Sequence, residues 1–250
     1  EATGFVNRVI AHGDIAFEKV HFRYPQADQD ALDGISFSIR AGEKVGIIGR
    51  IGSGKTTIGR LMSRLYQPSE GRVLIDSIDM QQFHPSEVRS AVAVAGQTSD
   101  LFSGSIKDNL LMGNPNATDE QLIEVSRKVG IESFVARHPR GFDMQVGENG
   151  GNLSAGQKQS VAIARLLLAS PKIIFLDEPS GAMDLASERH LIGCLRQAIA
   201  PEGTLVLSTH RYSMLDLIDR LIVIENGKLL ADGPKEQVIA ALQRKSTGIQ

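Results

Sequence analysis

Eight consecutive residues, Gly49-Arg50-Ile51-Gly52-Ser53-Gly54-Lys55-Thr56, constrain this chain more than any other stretch. Glycines at this spacing let backbone N–H groups wrap closely around phosphate. Lys55 then neutralises the outer charge, and the Thr56 hydroxyl can ligate magnesium. Such a loop needs a buried strand before it and a helix N-terminus after it, and both flanks comply. Residues 45–48 are continuously apolar, whereas Ile58, Leu61, Met62 and Leu65 repeat at i, i+3, i+4, i+7. The expected unit is strand, phosphate loop, helix.

Continuous apolar runs recur at 173–176, 205–207 and 221–224, as in parallel strands buried on both faces. Residues 14–24 and 35–39 alternate instead (Ile15, Phe17; Ile35, Phe37, Ile39), which reads as an antiparallel flap with one wet face. Helical periodicity takes over between 99 and 169, around 105–112, 119–129 and 155–169. The expectation is a single α/β domain over residues 1–250. Its core with the flap spans 14–97 and 170–240, and an inserted helical lobe spans 98–169.

Composition removes several function classes. With 27 Lys and Arg against 29 Asp and Glu, no net field recruits nucleic acid. The only cysteine, Cys194, excludes an internal disulfide and fits a buried helix position. No apolar run approaches the roughly 18 residues that span a bilayer. The chain begins Glu1-Ala2-Thr3-Gly4, without an initiator Met or a signal pattern, so it reads as a piece of something longer.

The run Ile173-Ile174-Phe175-Leu176 ends in Asp177-Glu178, two carboxylates where a buried strand stops. Adjacent side chains on an extended chain diverge, so Asp177 is assigned to magnesium and Glu178 to the base facing the attacking water. Leu153-Ser154-Ala155-Gly156-Gln157 also opens a helix, giving a second anion-facing helix start with no lysine of its own. One nucleotide does not need both, so each copy is expected to complete a site on another. Read alone, this stretch is equally a capped helix.

The phosphate loop, Leu153–Gln157 and Ile173–Glu178, in that order, resemble the ATPase domain of ABC transporters over about residues 14–240. That resemblance implies a P-loop NTPase fold of the ABC ATPase type, with a mostly parallel core sheet, an antiparallel β flap and an inserted α-helical lobe. It also implies ATP and Mg2+ as ligands. Gly49 through Thr56 and Thr57 would hold the phosphates, and Thr56, Gln97 and Asp177 the metal. Tyr24 would stack on adenine. Glu178, His210 and Gln97 would be catalytic, His210 as the γ-phosphate switch. Ser154, Gly156, Gln157 and Asp184, the last in Gly181-Ala182-Met183-Asp184, would meet the ATP of a second, head-to-tail copy. Taken singly, Tyr24 is also a packing aromatic, Gln97 a loop amide and His210 a structural histidine. His12, His21, His84, His138 and His190 match no motif and read as surface or packing residues.

Val146-Gly147-Glu148 and the segment 101–109 are similar to exporter sequences, implying a membrane-spanning domain as partner. Arg50 and Met183 resemble bacterial type I protein secretion ATPases. This implies the cytoplasmic face of a bacterial inner membrane, a periplasmic adaptor, an outer-membrane channel and no nucleic acid. Ala155 departs from the family's usual glycine. Competing readings are a soluble ABC ATPase acting on DNA or ribosomes, an exporter of lipid, peptide or drug, a P-loop kinase or GTPase, and a nucleotide-gated module without turnover.

Overall fold

The computed structural model describes residues 9–96, 100–181 and 183–247. The strands β1 (Ile15–Phe22) and β2 (Leu32–Ile39) form an antiparallel hairpin. β3 (Lys44–Ile48) runs into the phosphate loop and α1 (Lys55–Met62), after which β4 (Glu70–Ile75) and β5 (Ile78–Asp79) rejoin the hairpin. Next come α2 (Pro85–Ala91) and β6 (Val92–Ala95), then the helices α3 (Ile106–Leu111), α4 (Asp119–Lys128), α5 (Glu132–Val135) and α6 (Ala155–Leu168). The chain returns through β7 (Ile173–Asp177), α7 (Leu185–Ala198), β8 (Thr204–Ser208), β9 (Arg220–Glu225), β10 (Lys228–Pro234) and α8 (Lys235–Thr247).

Two sheets result, a flap ordered β2-β1-β4-β5 and a core sheet ordered β10-β9-β3-β8-β7-β6. The core sheet is parallel except for β10. Its continuous apolar strands separate two cores. Ile173, Phe175, Val206 and Ile222 pack with the flap and α1, whereas Ile174, Leu176, Leu205, Leu207 and Leu221 pack with α3, α4 and α6. Both faces of each strand are thus removed from water, at about 1.5–3 kcal/mol per large apolar side chain. In the flap only one face is buried, with Phe17 stacked on Phe37 at 4.6 Å.

The apolar stripe on α1 is shorter than the sequence pattern suggests. Arg64 takes left-handed backbone (φ 55°), and the N–H groups of Arg64 and Leu65 turn back to Leu61 O and Arg60 O at 3.0 and 2.9 Å. This closure ends the helix at Met62 and leaves Leu65 68% exposed, so Ile58, Leu61 and Met62 alone face the core.

Asp76 ties the segment before β1 to the flap. In the two-residue turn between β4 and β5, where Asp76 and Ser77 both have positive φ, its carboxylate accepts from the N–H groups of Ala11, His12, Gly13 and Asp14 at 2.7–3.1 Å. Burial works against its ionised form, but those four donors win and hold it below the ordinary 3.8. A depressed folded pKa gives stability that is present above 3.8 and lost as pH falls through the lower folded value. Asp76→Ala should cost about 1–3 kcal/mol at pH 7. In urea melts at falling pH, the gap to wild type should close in the acid range.

Candidate functional site

The loop after β3 is shaped by what its glycines exclude. A Cβ on Gly49 would lie 2.2 Å from Ile224 O, and one on Gly54 would lie 2.6 Å from Ala31 O with φ at 108°. Ser53 N donates to Arg50 O, and Gly227 N donates to Ser53 O, closing the loop against the turn between β9 and β10. Lys55, 7% exposed, folds into the loop and donates from Nζ to Gly49 O and Arg50 O at 2.8 and 3.1 Å. Its ammonium is therefore held where an anion entering the loop would meet it. Gly52 (φ 80°), Arg50 and Ile51 form the exposed tip, with Ile51 98% exposed.

The paired carboxylates meet different partners, but not through the alternation expected of an extended chain, since β7 ends at Asp177 and Glu178 leaves the extended conformation. Asp177, buried at the end of β7, accepts from Thr56 Oγ1 at 2.6 Å through Oδ2, while its Oδ1 is buried without a hydrogen-bond partner. An orphaned carboxylate oxygen beside a hydroxyl fits a hard divalent cation, which takes oxygen ligands. Glu178 has left-handed backbone (φ 48°), and its N–H donates to Ser208 O at 2.8 Å. Its carboxylate is 15% exposed and lies 2.8 Å from Nδ1 of His210, whose backbone N–H donates to the same oxygen at 3.4 Å. A carboxylate acceptor places the proton on Nδ1 of that ring.

Tyr24, just after β1, packs against α1. Its hydroxyl lies 3.0 Å from Thr57 Oγ1 and accepts from Arg60 Nη1 at 2.9 Å, while its ring meets Phe22 and Tyr66 edge-on at 4.8 and 5.3 Å. Thr57 is thus a tether for Tyr24. Gln97 and Ala182 lie outside the described residues.

Ser154 caps α6. Gln157 N donates to Ser154 Oγ at 3.2 Å, and Ser154 N donates to Gln157 Oε1 at 2.9 Å. With Gly156 they line a cleft of about 350 Å3 that also includes Met183, Ser187 and His190. Thr56 and Asp177 line a different cavity of about 860 Å3 with Arg60 and Arg89, and the two share no lining residue. Of these two cavities, one holds Ser154 and the other Thr56, and neither holds both. Asp184 caps α7, accepting from Ala186 N and Ser187 N at 2.8 and 2.9 Å, and the Ser187 donors hold its carboxyl below the usual range.

The structure adds two residues that no motif singled out. Arg211, partly exposed, and Glu188, buried, form an ion pair next to His210. The sole sequence signal was a glutamate on the inward side of an otherwise amphipathic helix. Cys194 is buried in α7, where burial pushes its thiol pKa up.

A family model described as ABC transporter matches residues 32–181. The ATP-dependent lipid A-core flippase of Chromohalobacter salexigens is 37% identical over 228 residues, 91% of this chain and 39% of that protein. The alpha-hemolysin translocation ATP-binding protein HlyB of Escherichia coli is 38% identical over 229 residues, 92% of this chain and 32% of that protein. A solved bacterial Atm1-family ABC exporter with ATP bound superposes with a TM-score of 0.88 at 34% identity, covering 97% of this chain and 43% of that one. The chain therefore spans well under half the length of these relatives.

Left-handed backbone at Glu178 costs about 1–3 kcal/mol for a residue with a Cβ. Glu178→Gly and Glu178→Ala both delete the carboxylate and differ in that cost. The glycine variant should be the more stable by about 1 kcal/mol in denaturant unfolding. An alanine variant of equal or greater stability would show that the backbone is unstrained.

Proposed function

The chain belongs to the ABC transporter family, and from that membership we propose that it binds and hydrolyses ATP with Mg2+ as a head-to-tail dimer powering an exporter. The observation that carries this reading is the split of Asp177 and Glu178, one tied to Thr56 of the phosphate loop and the other to His210. Lys55 and the loop amides hold the phosphates, Tyr24 carries the adenine, and Gln97 contacts the metal and water. Bound between Thr56 and Asp177, a magnesium ion would supply charge neutralisation on the phosphate oxygens. Glu178 takes a proton from the attacking water, and His210 keeps that carboxylate aimed while contacting the terminal phosphate. Ser154, Gly156, Gln157 and Asp184 complete the site on the opposing copy. We assign residues 98–169 to the inserted helical lobe.

Export is supported by the relatives and by a surface of this chain. Asn109, 1% exposed, fastens the 102–105 segment through Phe102 N, Phe102 O and Ser105 O, all at 2.9 Å. Val146 N donates to Gly104 O at 2.9 Å, joining the two exporter-like segments side by side. Phe102 is left 55% exposed. No helix among the described residues is long and apolar enough to cross a membrane. The surface suits contact with a membrane domain, and we infer from the exporter relatives that the chain works at the cytoplasmic face of a membrane. Within exporters we favour protein export of the type I kind, with an adaptor and an outer-membrane channel, on Arg50 and Met183. Lipid export is the second reading, because the flippase relative matches as closely as HlyB. Stimulation of turnover by unfolded protein and not by lipid would separate the two.

Glu178→Gln should cut hydrolysis by about 10²–10⁴-fold and trap an ATP-bound dimer on size exclusion, whereas wild type cycles back to monomer. A variant that stays monomeric with ATP and hydrolyses normally would sink the base assignment. Mixing Lys55→Met chains with Ser154→Arg chains, each inactive alone, should restore turnover, since one site of the mixed dimer keeps both residues. No recovery on mixing would sink the sandwich.

A further inference from the structure

His210 is 57% exposed and meets a carboxylate on a residue with strained backbone, so something else must hold it in place. The next residue supplies that hold. From Nη1, Arg211 donates to Glu188 Oε2 and to Met183 O, the latter at 3.2 Å. From Nη2 it donates to Gly181 O and Met183 O, both at 3.3 Å. Glu188, 1% exposed on the first turn of α7, also accepts from the hydroxyls of Ser213 and Ser180. Burial opposes its ionised form, but these donors outweigh that and hold its carboxyl below the usual range. One charge pair, buried on the Glu188 side, thus joins the loop after Glu178, the start of α7 and the segment carrying His210.

We propose that Arg211 is a positioning residue for hydrolysis: its fork, anchored on Glu188, locks the His210 segment to the 181–184 loop. This rests on the proposed ATP-sandwich function. The alignment of His210 on Glu178 is then steadied by the Arg211 fork, while Asp184 is held by the N–H groups of Ala186 and Ser187 at the start of α7. A planar guanidinium is required because it reaches a carboxylate and two carbonyls at fixed angles, which an ammonium does not.

The test compares wild type, Arg211→Lys and Ser213→Ala, with turnover counted per nucleotide-bound site so that loss of folded protein does not register as loss of rate. Arg211→Lys should lower kcat about tenfold or more, because small misplacement of catalytic groups is costly in rate. KM, and Kd for a fluorescent ATP analogue, should stay within about twofold of wild type. Ser213→Ala, which keeps the fork, should show the same split more weakly. A kcat per bound site within about twofold of wild type for Arg211→Lys, or a Kd that rises in step with the kcat loss, overturns the proposal. Wild type that binds nucleotide without turnover would instead refute the ATPase reading itself, and the two failures are told apart by that control.

Discussion

A parallel strand buried on both faces tolerates no polar side chain until it ends, and this constraint places everything else in the molecule. β3, β8 and β7 are neighbours in the core sheet, with Ile47 and Asp177 both paired to Ser208. Their carboxyl ends therefore deliver the phosphate loop, His210 and the Asp177-Glu178 pair to one edge, although these lie far apart in sequence. Open α/β sheets collect ligands at that edge for the same reason.

That convergence carries a local cost. Ser53 Oγ, Asp177 Oδ1 and Ser208 Oγ are buried without hydrogen-bond partners, and Glu178 holds left-handed backbone. Such features are not confined to the site, since Ser126 Oγ in the helical lobe is also buried without a partner and Arg64 and Asn149 also have positive φ, but only at this edge do they adjoin the phosphate loop. Polar groups left unsatisfied and backbone left strained at one strand edge are what a site kept ready for a charged ligand requires.

Periodicity revealed the elements whose burial is uniform. The doubly buried strands at 173–177 and 204–208 were readable because every position reports the same environment, and α6 because a capped start precedes a helical run with one buried side. β4 and β10 were not, since half of each faces solvent and polar residues dilute the alternation. For β10 the signal that survives is its turn, Asn226-Gly227, with both residues at positive φ. The motif residues of the site were readable for another reason: phosphate and metal chemistry dictates residue type and spacing over a few positions. Arg211 and Glu188 are 23 residues apart and owe their partnership to tertiary packing, which no local pattern records. Leu65 shows the opposite failure, a helical pattern continued past the point where backbone hydrogen bonds close the helix.

The start of α6 looks different once its surroundings are known. Ala155, exposed at the first helical position, adds helix propensity over glycine, up to about 1 kcal/mol, and meets no steric obstacle. Gly156 is the more telling residue. Its backbone is ordinary helix, and a Cβ there would touch only Ser187, at 3.8 Å. Nothing within one chain therefore needs a glycine at that position, unlike Gly49 or Gly54, which have backbone atoms pressed against them. A glycine with open space above it suits the close approach of something from outside the chain. In the proposed sandwich that is the phosphate held by Lys55 of the second copy, with the Ser154 hydroxyl beside it.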